Sequence, residues 1–464
     1  MEIFPTSQWF INLLDHKEKF LELGNQIKRY PEYMHKRYDE WVSNLKRDRC
    51  ISRQRFFGIP IPARRSKKTG ELILPELDQL PCDPTQTLPK VLPKDHSFED
   101  IEPETDVLDT RATSGLTPQI NAHWWEVDEL KWLLPMTLRT QAHEIIRTWT
   151  FYTIVKSRYH TGQIPWNDIM ISWFVADSKG DKISKSKGNA WKSPEELIAC
   201  YGADAVRYRT TNAQMGKDIK FDELEFKIGQ KLVKKLENCA NFVFMNLSDF
   251  DPQTNLEEDE LCPMDLRMLS QVNAAWIEMT QCLEAYEIGS ARTIFEKLFW
   301  HDFCDHYLEI VKERMYKPEK YLNAQAQKLS AQFALHKTLY AILRMIAPMM
   351  PFVAEELYDK YFKTYADKLS IHLLPFPDWS EFEIKQDMSD TNKAVEVVFD
   401  IIEQVRAYKT DKKIGLGTEL ELLTIKGDSK IIWLLNWFEN DIRSVTRAAR
   451  VEFGEDEKFG VSIK

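Results

Sequence analysis

The 464-residue sequence contains no run of eighteen or more uncharged apolar residues, so nothing in it reads as a membrane-spanning helix. Paired cysteines are missing too. Cys50, Cys82, Cys200, Cys239, Cys262, Cys282 and Cys304 are scattered, with no Cys-x-x-Cys among them. That pattern predicts free, mostly buried thiols in a reducing compartment. There is no excess of basic charge: 62 Lys and Arg face 72 Asp and Glu, for a formal net charge of −10. This excludes an indiscriminate nucleic-acid coat protein, although a local basic face can still meet an RNA. The opening MEIFPTSQWFINLLDHKEKF carries charges too early and too often for a secretory apolar region. The expected location is therefore cytoplasmic. Neither an internal repeat nor sustained heptads are present. What the chain does have is 43% hydrophobic and 12% aromatic residues, enough for sizeable cores in two to four domains.

Along the chain, Trp9-Phe10-Ile11 reads as a strand, Tyr33 to Leu45 as an amphipathic helix, and Cys50 to Pro62 as a loop-and-strand segment. Prolines and charges crowd residues 65–105 without periodicity, as in a connector or small insertion. Order returns over 106–220. Asp106 to Asp109 resembles a strand end, Gln141 to Tyr159 has helical spacing, and Ile169-Met170-Ile171 and Phe174-Val175-Ala176 have strand length. Strands alternating with helices suit an α/β sheet, to which residues 1–64 would also contribute. Residues 221–375 are strongly helical. Ile228, Leu232, Leu236, Cys239 and Val243 form an apolar stripe beside Lys227, Lys231, Lys234 and Lys235. Further helices are expected over Trp276–Tyr286, Ala291–Tyr316, Gln332–Ile346 and Val353–Tyr361, a bundle of four or five. Residues 376–464 read as a small α+β region, with a helix over Thr391–Lys409 and strands over Glu419–Ile425 and Val451–Phe453.

The most specific local string is Lys182-Ile183-Ser184-Lys185-Ser186-Lys187-Gly188-Asn189. Two lysines three apart, flanked by hydroxyl residues and glycine, can close on a polyphosphate. There they would stabilise charge building on a leaving pyrophosphate. Taken alone, the octapeptide is equally readable as an exposed basic turn.

Its surroundings carry a resemblance. The string is similar to the KMSKS loop of class I aminoacyl-tRNA synthetases, with Ile183 in place of Met. Tyr201-Gly202-Ala203-Asp204-Ala205-Val206-Arg207 follows it, and Leu138-Arg139-Thr140-Gln141-Ala142-His143-Glu144-Ile145-Ile146-Arg147-Thr148-Trp149 precedes it. Farther upstream lie the Cys50–Pro60 and Asp106–Thr110 strings. Downstream, Phe299-Trp300-His301-Asp302-Phe303-Cys304-Asp305 and Ala347-Pro348-Met349-Met350-Pro351-Phe352 resemble the anticodon-binding bundle of the valyl, isoleucyl and leucyl enzymes. The ordered set covers nearly the whole chain and is most similar to valyl-tRNA synthetases of the archaeal type. The fold this resemblance implies is the second half of a Rossmann-type nucleotide fold, then a helical anticodon-binding bundle, then a small C-terminal α+β region. It implies that Lys182 and Lys185, with Ser184 and Ser186, contact the phosphates of ATP, a substrate carried with Mg2+. Gln141 and His143 would lie near the adenosine. Glu144, Asp109, Arg111, Ile145 and Trp149 would surround the amino acid, Trp149 as a flat wall for the valine side chain. Lys227, Lys231, Lys234 and Lys235 would touch tRNA phosphates, though a solvated helix face is the plainer reading. The implied partners are valine, tRNA(Val) and a separate N-terminal half.

Departures from the family pattern qualify this reading. No His-x-Gly-His string occurs, and the region matching the front half of the nucleotide fold and the editing domain is missing. A parallel sheet cut at its switch point exposes a strand edge and an apolar face. Arg111 stands where the family carries Trp, and a guanidinium there is expected to be poorly solvated. Arg29, Arg47, Arg49 and Arg209 also occupy Trp positions of archaeal-type relatives. Ser66-Lys67-Lys68-Thr69-Gly70 replaces a Cys-x-x-Cys knuckle, so zinc is not expected. Two functions remain as expectations: a valine--tRNA ligase half completed by a His-x-Gly-His half, or a catalytically inactive paralogue that binds tRNA.

Overall fold

The computed structural model describes residues 7–464 except 127, 173, 178, 182, 184–187, 189–191, 213, 365–367 and 377–382. The chain divides into two compact units, residues 1–175 with 215–219, and residues 176–214 with 220–464.

The first unit opens with β1 (Phe10–Ile11), α1 (Lys17–Asn25), β2 (Lys28–Tyr30) and α2 (His35–Ser43), followed by β3 (Arg49–Cys50) and β4 (Ser52–Arg53). β5 (Arg64–Ser66), β6 (Leu72–Ile73) and β7 (Ile101–Pro103) form a small antiparallel sheet of order β6-β5-β7. The Pro-rich connector is therefore a built module. Next come β8 (Val107–Leu108), α3 (Thr110–Ser114), α4 (Thr117–Asn121), β9 (Met136–Ala142), α5 (Phe151–His160), β10 (Trp166–Ser172) and β11 (Val175–Ala176). The nucleotide-fold portion is a three-stranded parallel sheet, β2-β10-β9, with Ile169 opposite both Arg29 and Arg139. Helix α5 connects β9 to β10, the covered crossover that parallel pairing requires. The core joins Phe20, Leu23, Tyr38 and Val42 of α1 and α2 to Phe151, Ile154 and Val155 of α5 and to Trp166, Ile169 and Ile171 of β10. A Cβ at Gly24 would lie 2.1 Å from the Tyr38 ring, so α1 and α2 need a glycine at that crossing.

The second unit starts with α6 (Pro194–Tyr201) and α7 (Ala203–Thr210), and β12 (Ile219–Lys220) follows them in the chain. Ser193 starts α6 through a reciprocal capping box with Glu196, and Gly202 at φ 85 ends it. The bundle comprises α8 (Glu223–Met245), α9 (Pro263–Glu284), α10 (Ile288–Glu296), a π-helix (Lys297–Tyr307), α11 (Leu308–Tyr316), α12 (Ala324–Ile346) and α13 (Pro351–Tyr361). After it come α14 (Ser389–Asp411), β13 (Leu420–Gly427), α15 (Ser429–Leu435), α16 (Glu439–Thr446), β14 (Ala448–Glu455) and β15 (Gly460–Ile463), with sheet order β14-β13-β15. One core runs from Leu232 and Leu236 through Trp276, Phe299 and Ile342 to Ile401, Leu423 and Ile442. Each fully buried Leu or Phe contributes about 1.5–3 kcal/mol.

Three expectations change here. Gln141 lies in β9, not in the helix after it. The buried stripe of α8 includes Phe226 and Gly229, while Ile228 is 38% exposed. Of the seven free thiols only Cys239 and Cys304 are buried. The spacing behind the first two readings fits more than one register, and packing selected among them.

Candidate functional site

The strings singled out in the sequence meet in space within each unit. In the first unit β4 and β8 pair antiparallel, Ser52 opposite Leu108. Ser52 Oγ and Gln54 Nε2 donate to Asp106 Oδ2 at 2.7 and 2.6 Å. Arg53 pairs with Asp109 at 3.2 Å. These contacts tie the start of α3 to the Cys50–Pro60 segment. Arg111, on α3, is exposed. The expectation of a poorly solvated guanidinium is thus corrected: Ala112 and Gly115 supply the buried face of this short helix, and position 111 turns to water.

Strand β9, the 3-10 turn His143–Ile145 and the π-helical turn Ile146–Thr150 hold the other predicted residues. Gln141 is buried at the strand's end, where its Oε1 accepts from Thr150 Oγ1 at 2.5 Å and its Nε2 has no partner. An unpartnered buried amide hydrogen is costly, and it is a ready donor for an acceptor brought to it. His143 is half-buried. Its Nδ1 lies 3.2 Å from the Arg37 guanidinium and its Nε2 3.2 Å from Asp218 Oδ1. Arg37 can only donate, so the proton sits on Nε2 and points at the carboxylate. Glu144 is exposed and Ile145 half-buried. Trp149 donates its indole N–H to Ser114 O at 3.1 Å, meets Trp166 edge-on at 5.5 Å, and has the Arg139 guanidinium 3.9 Å above its ring. Burial pushes the pKa of Arg139 down, and its Nε has no partner.

Of the other arginines, Arg29 is buried in β2, donates to Gly24 O and Ile27 O, and lies 4.8 Å over the Tyr38 ring. Desolvation lowers its pKa to about 10, and two of its nitrogens are unpartnered. Arg47 is exposed, Arg49 donates to the Tyr152 hydroxyl, and buried Arg209 donates to Lys220 O. At Ser66–Gly70 the turn is closed by Ser66 Oγ, which accepts from the amides of Lys68 and Thr69, and by Lys68 on Asp100 at 2.7 Å. Hydroxyls and ammonium groups do not fit a thiolate zinc knuckle.

In the second unit Lys182, Ser184, Lys185 and Ser186 lie outside the described residues. The Tyr201–Arg207 string downstream of them is firmly built. Asp204 accepts from the amides of Phe352 and Val353 at 3.1 and 2.7 Å, capping α13, and Arg207 donates to Pro348 O at 3.0 Å. Two distant strings that carried the resemblance are therefore one contact, and Asp204 holds it. Sequence reading gave Asp204 no role; its single signal was the position two residues after Gly202. Lys227, Lys231 and Lys234 are exposed along one face of α8, Lys227 pairing with Glu223 at 3.3 Å, while Lys235 lies 5.8 Å over the Trp300 ring.

Comparison with known proteins now bears on this geometry. Residues 2–222 match the family "tRNA synthetases class I (I, L, M and V)", and residues 265–424 match "Anticodon-binding domain of tRNA ligase". The chain is 37% identical over 487 residues to the valine--tRNA ligase of Wolbachia pipientis wMel, covering 100% of this chain and 53% of that protein. It is 37% identical over 486 residues to the valine--tRNA ligase of Rickettsia prowazekii (strain Madrid E), covering 100% and 57%. The chain thus spans about half the length of these relatives. Among solved structures it is similar to Mycobacterium tuberculosis methionyl-tRNA synthetase in complex with methionyl-adenylate, with TM-score 0.57 and 18% identity over 76% of this chain and 62% of that one. It is also similar to the ternary complex of Agrobacterium radiobacter K84 agnB2 LeuRS, tRNA and LeuAMS, with TM-score 0.55 and 19% identity over 72% and 42%. Both share the fold.

Proposed function

Since the chain belongs to the class I tRNA synthetases, and among them to the valine--tRNA ligases, we propose that it forms the C-terminal half of a machine that charges tRNA(Val) with valine. In the first step the valine carboxylate attacks the α-phosphate of ATP, carried with Mg2+, and pyrophosphate leaves. In the second a ribose hydroxyl at the end of the tRNA attacks the acyl carbon, and AMP leaves. Lys182 and Lys185 neutralise charge on the departing pyrophosphate. Gln141 offers its unpartnered amide to the adenosine, His143 presents its Nε2 proton beside Asp218, and Asp109, Glu144, Ile145 and Trp149 border the amino acid. The helical unit takes the anticodon stem, with the α8 lysines on tRNA phosphates. The part of the nucleotide site that bears His-x-Gly-His comes from outside these 464 residues. A single observation carries the last point: among the described strands β9 pairs only with β10, which leaves half of a doubly wound sheet beside its switch point.

The experiment is valine-dependent ATP–pyrophosphate exchange, measured for the 464-residue chain with and without a His-x-Gly-His half. Exchange is expected from the pair alone, reduced by about 10²–10³ in kcat when Lys185 is changed to Ala. A pair without valine-dependent exchange sinks the reading.

Arg139 over the Trp149 ring favours a second reading, a tRNA-binding paralogue without catalysis, because a cation there opposes a valine ammonium. That reading requires tight binding of tRNA(Val) with no exchange under any pairing. Equal affinity for unrelated tRNAs excludes it.

A further inference from the structure

The eleven residues Lys297–Tyr307 wind as a π-helix between α10 and α11. Bonding from i to i+5 brings residues five apart onto the same side of the helix, whereas an α-helix would place them about 140° apart around its axis. His301 and His306 are five apart, and their ring centroids are 4.5 Å from each other. His306 is 2% exposed, and its Nδ1 has no hydrogen-bond partner. Its ring stacks on Phe399 of α14 at 4.0 Å, and one helical turn farther along α14 comes Glu403. One ligand atom from each of His301, His306 and Glu403 lies within 4.8 Å of the other two.

We propose that His301, His306 and Glu403 bind a divalent transition-metal ion of the zinc class, which staples the π-helix to α14. Two imidazoles and a carboxylate are a donor set such ions accept, with water completing a tetrahedron. One His301 nitrogen is already engaged in a way that suits this role. The Nδ1 is 2.9 Å from Asp302 Oδ1, which leaves Nε2 for the ion, the outer carboxylate contact that ligating histidines commonly make. Tetrahedral ligand atoms stand about 3.3 Å apart, so the three groups, now within 4.8 Å of one another, must converge by up to about 1.5 Å. His301 and Glu403 are exposed and can rotate to do so. Asp302 and Asp305 add negative charge nearby. Arg406, which donates to Asp305 O at 3.1 Å, opposes it.

The test is a Co2+ titration of the untagged 464-residue chain, followed by visible absorption and then by displacement with Zn2+. A saturable d–d band without thiolate charge transfer is expected. His301→Ala should weaken binding by more than the tenfold or so typical of losing an outer-shell partner, with an unchanged far-ultraviolet circular dichroism spectrum. Zn2+ should raise the Tm of the wild-type chain and leave that of Glu403→Gln unmoved. No saturable band, a thiolate band from cysteine ligands, or a band that His301→Ala leaves unaltered would each overturn the proposal.

Discussion

His336 of α12 lies among the rings of Phe244, Phe250 and Phe362, with centroids 6.5, 5.5 and 5.3 Å away, and neither ring nitrogen has a partner. Burial, and secondarily Lys337, pushes its pKa down to about 4. Between pH 6.5 and 4 the unfolded chain therefore holds a proton that the folded chain refuses. Stability from the neutral ring is complete above 6.5 and falls away as pH drops toward 4, by on the order of 3 kcal/mol. His336→Phe should flatten urea-derived stability across that window; an unchanged pH slope would refute the assignment. A second residue-scale device is the buried pair Arg314–Asp265 at 2.7 Å, where Asp265 also accepts from Tyr307 and Ser330 at 2.7 and 2.5 Å. Removing one partner strands the other, so Arg314→Met should cost about 3–5 kcal/mol in chemical denaturation. A loss below about 1 kcal/mol would show the carboxylate to be satisfied without it. Sequence reading located neither residue, because nothing local distinguishes a buried Arg or His from a surface one.

At the scale of elements, α7 and α8 cross where Gly229 faces Ala205. A Cβ at Gly229 would stand 2.8 Å from Ala205 Cα. Alanine gains about 1 kcal/mol in helix propensity, but overpacking against backbone costs about 1–3 kcal/mol. Backbone cannot swing aside as a side chain can, so Gly229→Ala should lower the Tm, and a rise would show that the two helices slide freely. The long helices were legible because Leu232, Leu236 and Val243, or Leu335, Leu339 and Ile342, recur at helical spacing. β9 was not legible at its end: Gln141 reads as the start of the next helix, whereas in the sheet Gln141 and Ala142 pair with Ile171 and Ser172 of β10. The π-helix was illegible for the same reason. Phe299, Phe303 and Tyr307 are buried along it, and their spacing in the sequence does not mark the extra residue per turn.

On the scale of the whole molecule, residues 176–214 group with the helical unit, although sequence reading assigned them to the nucleotide fold with 106–220. β9 has an unpaired edge among the described strands, and such edges invite a cover. Hydrogen exchange should therefore show the outward amides of Met136–Ala142 exchanging quickly in the isolated chain and slowing when a His-x-Gly-His half is added. Equal exchange in both conditions would mean that the half docks elsewhere. No helix among the described residues is long and apolar enough to cross a membrane.

By itself the sequence determined the family, the order of the strings that carry it, and the periodic helices, because these rest on residue identity and spacing along one chain. Only the tertiary structure decided that Arg111 faces water, that Asp204 caps a helix begun nearly 150 residues later, and that two histidines five apart share one face. Those outcomes depend on which surfaces meet, and a chain does not encode contact in the distance between its own residues.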